Sequence, residues 1–572
     1  MYNICYVICR LFVRPELGFT LTFFSVTVDR LRLYIKGFRY EGLICAGLFF
    51  SFSMAPSLVP REAVTQGILS GFLAATGLFF GLFLTWLYSF LELPKTKGAI
   101  TKRIRQFVAA ATLLFMIYAV WFGAEWQESQ REFLGVALLE GWYAPIVLAI
   151  AIPLTILLRE VGRLFFWTVR LIYRYLNRLI PARISITVSL IIVAIFYTNL
   201  ISGTVGRYLL RSLDATFLAL DQLIDDDIKQ PNQALATGSS ESVISWQNLG
   251  RQGRRFVASG PDQLAIQEFT GKPAKRPLRI YVGLGASESP DERAELALEE
   301  MKRVGAFERS VLVVATPTGT GWIDDEAVDS LEYLHHGDTA IVTTQYSYLM
   351  SYVSIMLEPG YSRASAEALF NTVYGHWQKL PADQRPRLYL HGLSLGSSGS
   401  EQSMNINMLL GDLIQGAVWS GPSFTNPQWN AFVKRRNPDS PSWLPKYGDG
   451  SLVRFTNQNN KLDIPGAKWG PLRLVYLQYA SDPITFFSTD LFFQEPEWLS
   501  GKRGPDVSPD LRWVPIVTGL QVAFDMIGAS ALGTGIGHLF ASAHYIDAWL
   551  AVTEPQGWTE AETARLKRHL EN

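Results

Sequence analysis

The first two hundred residues carry apolar stretches about as long as a bilayer's hydrocarbon core is thick, and that feature rules out a single water-soluble core. Five such stretches stand at 42–59 (GLICAGLFFSFSMAPSLV), 67–91, 107–124, 142–158 and 184–201 (ISITVSLIIVAIFYTNLI). A soluble surface helix keeps a polar face, and these stretches lack one, so buried core helices do not account for them. Composition agrees, because 48% of the 572 residues are hydrophobic and only 18% are charged, below the usual quarter. We therefore expect an all-α transmembrane domain of about five helices over 41–203, preceded by a cytoplasmic N-terminal segment, 1–40.

The charges between the stretches give an orientation. Arg30, Arg32, Lys36 and Arg39 precede the first; Lys95, Lys97, Lys102, Arg103 and Arg105 lie between the second and third; Arg159, Arg163, Arg170, Arg174, Arg178 and Arg183 lie around the turn from the fourth to the fifth. The alternate loops differ, 60–66 being nearly neutral and 125–140 acidic on balance. Positive loops stay cytoplasmic, so a multi-pass protein of the cell membrane is expected, with its N-terminus inside and everything after about Ser202 on the outer face. The apolar runs MYNICYVIC and FTLTFFSVTV are short and broken by Arg10, Arg14 and Glu16. They read as neither a span nor a cleavable signal; an extra span there would invert the topology. Lys plus Arg and Asp plus Glu balance at 51 each, so no global field attracts nucleic acid. The three cysteines, Cys5, Cys9 and Cys45, have neither metal-site spacing nor the number for a disulfide framework.

From 204 to 276 the chain turns polar, with LDQLIDDDIKQ and ATGSSES marking a connecting region. A further domain is expected over 277–572. There RIYVGL, VLVVAT, DTAIVTTQY, RLYLHG, GAVWSG and LRLVYLQY alternate with helical patterns, the signature of an α/β domain whose mainly parallel sheet is covered by helices on both faces. In such sheets, function gathers at the carboxyl ends of the strands.

One of those ends reads YLHGLSLGSSGS, residues 389–400. A Gly-x-Ser-x-Gly turn between a strand and a helix, the latter expected from about Gly399 to Leu413, puts Ser394 in a nucleophile's position. Gly392 and Gly396 then leave room for close neighbours. A serine needs a base, oriented by a carboxylate, and in this arrangement both follow the serine in the chain. Of seven histidines, His335, His336, His376 and His391 precede Ser394, and His569 sits in a charged terminal helix. His538, in the glycine-rich GTGIGHLF, is favoured over His544, which begins the helical pattern HYIDAWLAV. Asp482 follows the strand LRLVYLQY in YASDPITFF and is favoured as the acid, with Asp490 and Glu495 as fallbacks. An oxyanion needs N–H donors; Leu395 supplies one, and the loop TPTGTGW, with Gly319 and Thr320, is the candidate for another. That loop lacks the lysine and spacing of nucleotide-binding motifs. No cofactor and no metal site is read.

Several segments together carry a resemblance: APSLVPRE at the end of the first span, LGRQGRRFV, VVATPTGTGWID, EYLHHGDTAIV with QYSYL, the serine turn, YASDP, and terminal GHLF with IDAWLAVT. In these the chain resembles the bacterial membrane-anchored α/β-hydrolase family, with a helical membrane N-terminal domain and an α/β-hydrolase catalytic domain. The resemblance spans nearly the whole chain. It implies the α/β-hydrolase fold, Ser394 as nucleophile, Asp482 as acid and His538 as base. This chain departs from the family pattern at Leu393, where a Glu is usual, and at Gly-Ile-Gly-His, where a Gly-His-Gly-His type of loop is common, which bears on substrate preference. A membrane-bound, esterase- or lipase-like serine hydrolase is expected, its partners the lipid bilayer and a lipidic or cell-envelope acyl substrate. The aromatic run ITFFSTDLFFQEPEW is read either as part of an apolar site or as ordinary packing. The alternative is a membrane scaffold or transport component that uses the fold only for binding. Ser51, Ser53 and Ser70 in the spans make no ion pathway, since ionisable groups are nearly absent there.

Overall fold

The computed structural model describes residues 40–94, 99–139, 141–201, 217–351, 353–354, 360–404 and 411–571. The segment 1–40, Tyr40 apart, and the basic residues Lys95 and Lys97 lie outside them. The chain forms two compact units, one of residues 1–54, 66–122 and 144–162, the other of 55–65, 123–143 and 163–572.

Five helices occupy the N-terminal region: α1 (Tyr40–Ser53), α2 (Ala63–Phe90), α3 (Ala99–Leu134), α4 (Tyr143–Leu176) and α5 (Ala182–Thr198). Among the described residues, four helices are long and apolar enough to cross a membrane, with mean hydropathy of 2.0 to 2.2 over their best windows. These are α2 to α5. The expected span 42–59 differs: among the described residues, which begin at Tyr40, α1 runs only to Ser53, short of the expected end at Val59. Pro56 and Pro60 explain the early stop, since proline lacks the N–H that would extend the ladder and its ring clashes with the preceding turn. Within the first unit, helices meet at small residues. A Cβ on Gly77 of α2 would stand 2.4 Å from the Cys45 carbonyl oxygen of α1, and one on Gly71 would stand 2.9 Å from that of Ala151 on α4. Such close backbone approach is how helices associate where lipid removes the hydrophobic drive.

The second unit is built on seven strands: β1 (Leu278–Val282), β2 (Val311–Thr316), β3 (Thr339–Thr344), β4 (Arg387–Leu393), β5 (Gly416–Ser420), β6 (Val453–Thr456) and β7 (Arg473–Leu477). Their order is β1-β3-β2-β4-β5-β7-β6, and every neighbouring pair runs parallel. Nearly every strand residue is buried, which is why runs such as VLVVAT show no alternation. Helix Pro290–Val304 packs on Tyr361–Trp377, which packs on Leu395–Ser403; Asp325–Leu334 packs on Ser542–Thr553, which packs on Glu560–Leu570. The sequence reading has no counterpart to β6, a four-residue edge strand containing Arg454, too short and too polar to stand out. Residues 217–276 do more than connect, since Trp246, Leu249, Phe256 and Ile266 join the β1 core. Gly253 lies flat on the Tyr281 ring, where a Cβ would be 2.4 Å away.

A smaller apolar cluster contains Leu58 together with Trp443, Phe486, Leu491, Trp498, Leu511 and Val522. Segment 55–65 is thus part of this unit, and segment 123–143 is tied to it: Gln130 Nε2 donates to the Ser57 carbonyl at 2.6 Å and Arg61 N–H to Gln127 Oε1 at 2.8 Å.

Candidate active site

Strand β4 hands over to helix Leu395–Ser403 through one residue, Ser394, with φ 58° and ψ −125°. The helix therefore begins four residues earlier than expected, and 405–410 lie outside the described residues. A positive φ on a residue with a Cβ is strained, and the surroundings hold it there. The Ser394 N–H donates to the Ser420 carbonyl at the end of β5 at 3.1 Å, while its own carbonyl accepts from Ser397 N–H at 3.0 Å and Ser397 Oγ at 2.8 Å. The two flanking glycines have a steric cause. A Cβ on Gly392 would be 2.5 Å from the Gly396 carbonyl oxygen, and one on Gly396 would be 2.3 Å from that of Thr316 at the end of β2.

Asp482 lies beyond the carboxyl end of β7 with no exposed surface and caps the short helix Pro483–Phe486. Its Oδ1 accepts from Ile484 N–H at 2.9 Å, and its Oδ2 accepts from Thr485 Oγ1 at 2.9 Å and contacts His538 Nδ1 at 2.7 Å. An ionised carboxylate only accepts, so the proton of that bond resides on Nδ1 and Nε2 keeps a lone pair. Among the described residues, His538 Nε2 is buried with no hydrogen-bond partner. The ring lies over Gly421, where a Cβ would be 2.5 Å from Cε1; Gly421 follows Ser420, the residue whose carbonyl holds the Ser394 N–H. Ser394, Asp482 and His538 are thus gathered at the carboxyl ends of β4, β5 and β7. No hydrogen bond joins Ser394 Oγ to His538 among the described residues.

The loop bearing His538 is pinned at both sides of the histidine. His538 N–H donates to the Ala529 carbonyl at 3.0 Å, and Gly537 N–H donates to Ser481 Oγ at 3.1 Å. Ser481 Oγ in turn donates to Asp506 Oδ2 at 2.7 Å. Sequence reasoning had no access to Thr485, Ser481 or Asp506. Only the Asp-Pro turn around Thr485 leaves a trace, since Asp before Pro is a common helix start.

The other histidine and the fallback acids lie elsewhere. His544 Nδ1 is engaged by Tyr479 Oη at 2.5 Å, and burial pulls its pKa down to about 4. Asp490 and Glu495 are exposed. His391, on β4, contacts the Val418 carbonyl through Nδ1 at 2.8 Å, and burial lowers its pKa to about 4.

Leu395 opens its helix, where N–H groups have no partner inside the ladder. In the loop after β2, Gly319 N–H is already engaged by Ser351 Oγ at 3.1 Å, and the Thr320 carbonyl accepts from Gln345 Nε2 at 3.3 Å. The carbonyls of Thr316 and Pro317 crowd Gly396. Behind the turn, fully buried Glu401 accepts from Asn426 Nδ2 at 3.0 Å and Tyr476 Oη at 2.8 Å, fastening the helix to the sheet; burial raises its pKa. Ser394 is 3% exposed and His538 5%.

Residues 278–566 match the model of a family described as an alpha/beta-hydrolase family, and residues 54–261 match that of the family's N-terminus. No curated protein and no solved structure matches the chain.

Proposed function

This chain belongs to the alpha/beta-hydrolase family, and from that premise we propose that it is a membrane-bound serine hydrolase that cleaves or transfers an acyl group. Ser394 is the nucleophile, His538 the base and Asp482 the group that orients it. The observation that carries this reading is the 2.7 Å contact of His538 Nδ1 with Asp482 Oδ2, made beside a serine held at φ 58° between a strand and a helix.

The chemistry follows from those roles. Ser394 Oγ adds to an ester carbonyl as its proton passes to His538 Nε2, and the imidazolium is stabilised by Asp482. Collapse of the tetrahedral adduct expels the alcohol, which takes that proton, and leaves an acyl-serine. Water or an acceptor alcohol then adds by the same route, with His538 again taking and returning one proton. Leu395 N–H faces the developing oxyanion, and Gly319 and Thr320 are the candidates for a second donor, Gly319 after exchange of its bond to Ser351.

Placement on the outer face rests on charge and connectivity. Segments 55–65 and 123–143 belong to the same compact unit as the sheet, which supports their lying on one side of the bilayer with it. The opposite ends of α2 to α5 carry Lys102, Arg103 and Arg105, and Arg170, Arg174, Arg178 and Arg183, and such ends stay cytoplasmic. An anchored site on the outer surface suits a lipidic or cell-envelope ester.

The rival reading, a domain that only binds, draws on the burial of Ser394 and His538 and on the lack of a bond between them among the described residues. One experiment separates the two. Purified protein in detergent is treated with a fluorophosphonate probe, with Ser394→Ala as control; wild type is expected to label and the variant to lose the label. Equal labelling of both, or of neither, overturns the assignment.

A further inference from the structure

Helix Val517–Gly528 (VTGLQVAFDMIG) buries all of its polar side chains and leaves only apolar ones with surface. Its buried residues are Val517, Thr518, Gly519, Gln521, Val522 and Asp525, so three polar side chains lie inward beside the two valines. Gln521 Nε2 donates to the Ala55 carbonyl at 3.0 Å. Asp525 accepts from Arg61 Nε at 2.6 Å, from Leu58 N–H at 3.2 Å and from the Ser57 hydroxyl. The Arg61 and Asp525 side chains are 2% and 0% exposed. Leu520, Ala523 and Phe524 are half-buried and Ile527 exposed, spaced i, i+3, i+4 and i+7, with no polar residue among them. Ile527 is 56% exposed, and Phe493 is 80% exposed; the neighbouring Phe492 ring packs on Gly519. A helix facing water shows the opposite arrangement, and contiguous exposed apolar surface marks a contact site.

The identity of what covers this face is read from its anchor. Ser57, Leu58 and Arg61 belong to the short stretch that ends where α2 begins at Ala63, and α2 is long and apolar enough to cross a bilayer. Arg61 is two residues from that start, so the side chain that fixes Asp525 stands beside the beginning of a helix able to cross a bilayer. The far end of the helix leads to Ala529, whose carbonyl holds the His538 N–H at 3.0 Å.

We propose that helix Val517–Gly528 lies in the membrane interface with Leu520, Ala523, Phe524 and Ile527 against lipid acyl chains, so that acyl esters reach Ser394 from the lipid phase. The helix is an interfacial element of the kind that buries one apolar face at the headgroup boundary. Its inward charge pair ties it to the membrane-entering segment, and its end ties it to the histidine loop. The lipid contact stands apart from catalysis, while the route to Ser394 rests on the proposed hydrolase reading.

The test uses the full chain with Cys5, Cys9 and Cys45 replaced by Ser, carrying Ile527→Cys or, as control, Glu299→Cys, each labelled with an environment-sensitive nitrobenzoxadiazole dye and reconstituted in phosphatidylethanolamine–phosphatidylglycerol vesicles. Doxyl-labelled lipids are expected to quench the dye at position 527 at least about twofold and to leave position 299 unchanged; equal quenching by lipid at the two sites, or equal quenching by aqueous iodide, overturns the placement. In an unlabelled pair, Phe524→Ser with Ile527→Ser is expected to slow turnover of a vesicle-borne ester by about tenfold while sparing a water-soluble p-nitrophenyl ester. Equal loss on both substrates overturns the lipid route. Fluorophosphonate labelling of Ser394 in the same preparations keeps the outcomes apart: quenching without labelling removes the enzyme, and labelling without quenching removes the interfacial helix.

Discussion

At Ser394 the backbone holds φ 58°, a conformation that costs on the order of 1–3 kcal/mol for a residue with a side chain. Hydrogen bonds to Ser420 and from Ser397 offset it, and the two glycines let β2 and the following helix close around the turn. The same residue-level logic separates the histidines. His538 meets Asp482, whereas His544 is held by Tyr479 and kept neutral by burial. We expect His538→Ala to lower p-nitrophenyl ester turnover by about a thousandfold or more, and His544→Ala to remain within about threefold of wild type. A dead His544 variant beside an active His538 variant would exchange their roles. Order along the chain reduced seven histidines to three, the charged terminal helix removed His569, and the ranking of the remaining two rested on loop composition. Proximity to a carboxylate 56 positions away is a property of the folded chain, and no local pattern encodes it.

Among the elements, helix Asp325–Leu334 begins with a buried carboxylate. Asp324 caps it, accepting from Glu326 N–H at 3.2 Å, and its other oxygen accepts from Tyr545 Oη at 2.8 Å, joining this helix to Ser542–Thr553. Burial pushes its pKa up to about 8, with Asp325 and Glu326 adding to the rise. The folded state therefore holds this proton more tightly than the unfolded chain, whose carboxyl titrates near pH 4. The stabilisation from the neutral form is complete below the unfolded pKa and is lost as pH rises through about 8. Its slope is at most about 1.4 kcal/mol per pH unit. Asp324→Asn keeps a capping oxygen without the charge, so its unfolding temperature, followed calorimetrically between pH 5 and 8, is expected to fall less with pH than that of wild type. Parallel slopes would show that Asp324 is ionised when folded. The elements themselves were largely legible: six of the seven strands coincide with apolar runs in the sequence. The edge strand β6 was not, because pairing with β7, rather than its own four residues, makes it a strand.

For the whole molecule, connectivity bears on the topology more directly than a count of spans. Ser57 and Arg61, before α2, and Gln127 and Gln130, near the end of α3, bond within one unit that also contains the sheet. On the proposed topology, α2 and α3 separate these segments, and α4 and α5, also long and apolar enough to cross, precede the sheet, so the proposed outer placement of that domain does not depend on whether α1 crosses. In a background with Cys5, Cys9 and Cys45 replaced by Ser, Glu128→Cys and Glu299→Cys are expected to react with an impermeant maleimide in intact cells, and Arg178→Cys only after permeabilisation. The reverse pattern would put the site in the cytoplasm. The sequence by itself determined the apolar spans, the parallel α/β sheet and the Gly-x-Ser-x-Gly turn, because each is written in the spacing of neighbouring residues. Only the tertiary structure decided that α1 ends at Ser53, that segment 55–65 belongs to the unit with the sheet, that His538 meets Asp482, and that helix Val517–Gly528 buries Gln521 and Asp525 while leaving Ile527 exposed. Arg61 and Asp525 lie 464 positions apart. Which side chain meets which over such a distance depends on how the whole chain packs, and periodicity reports only whether a position is buried.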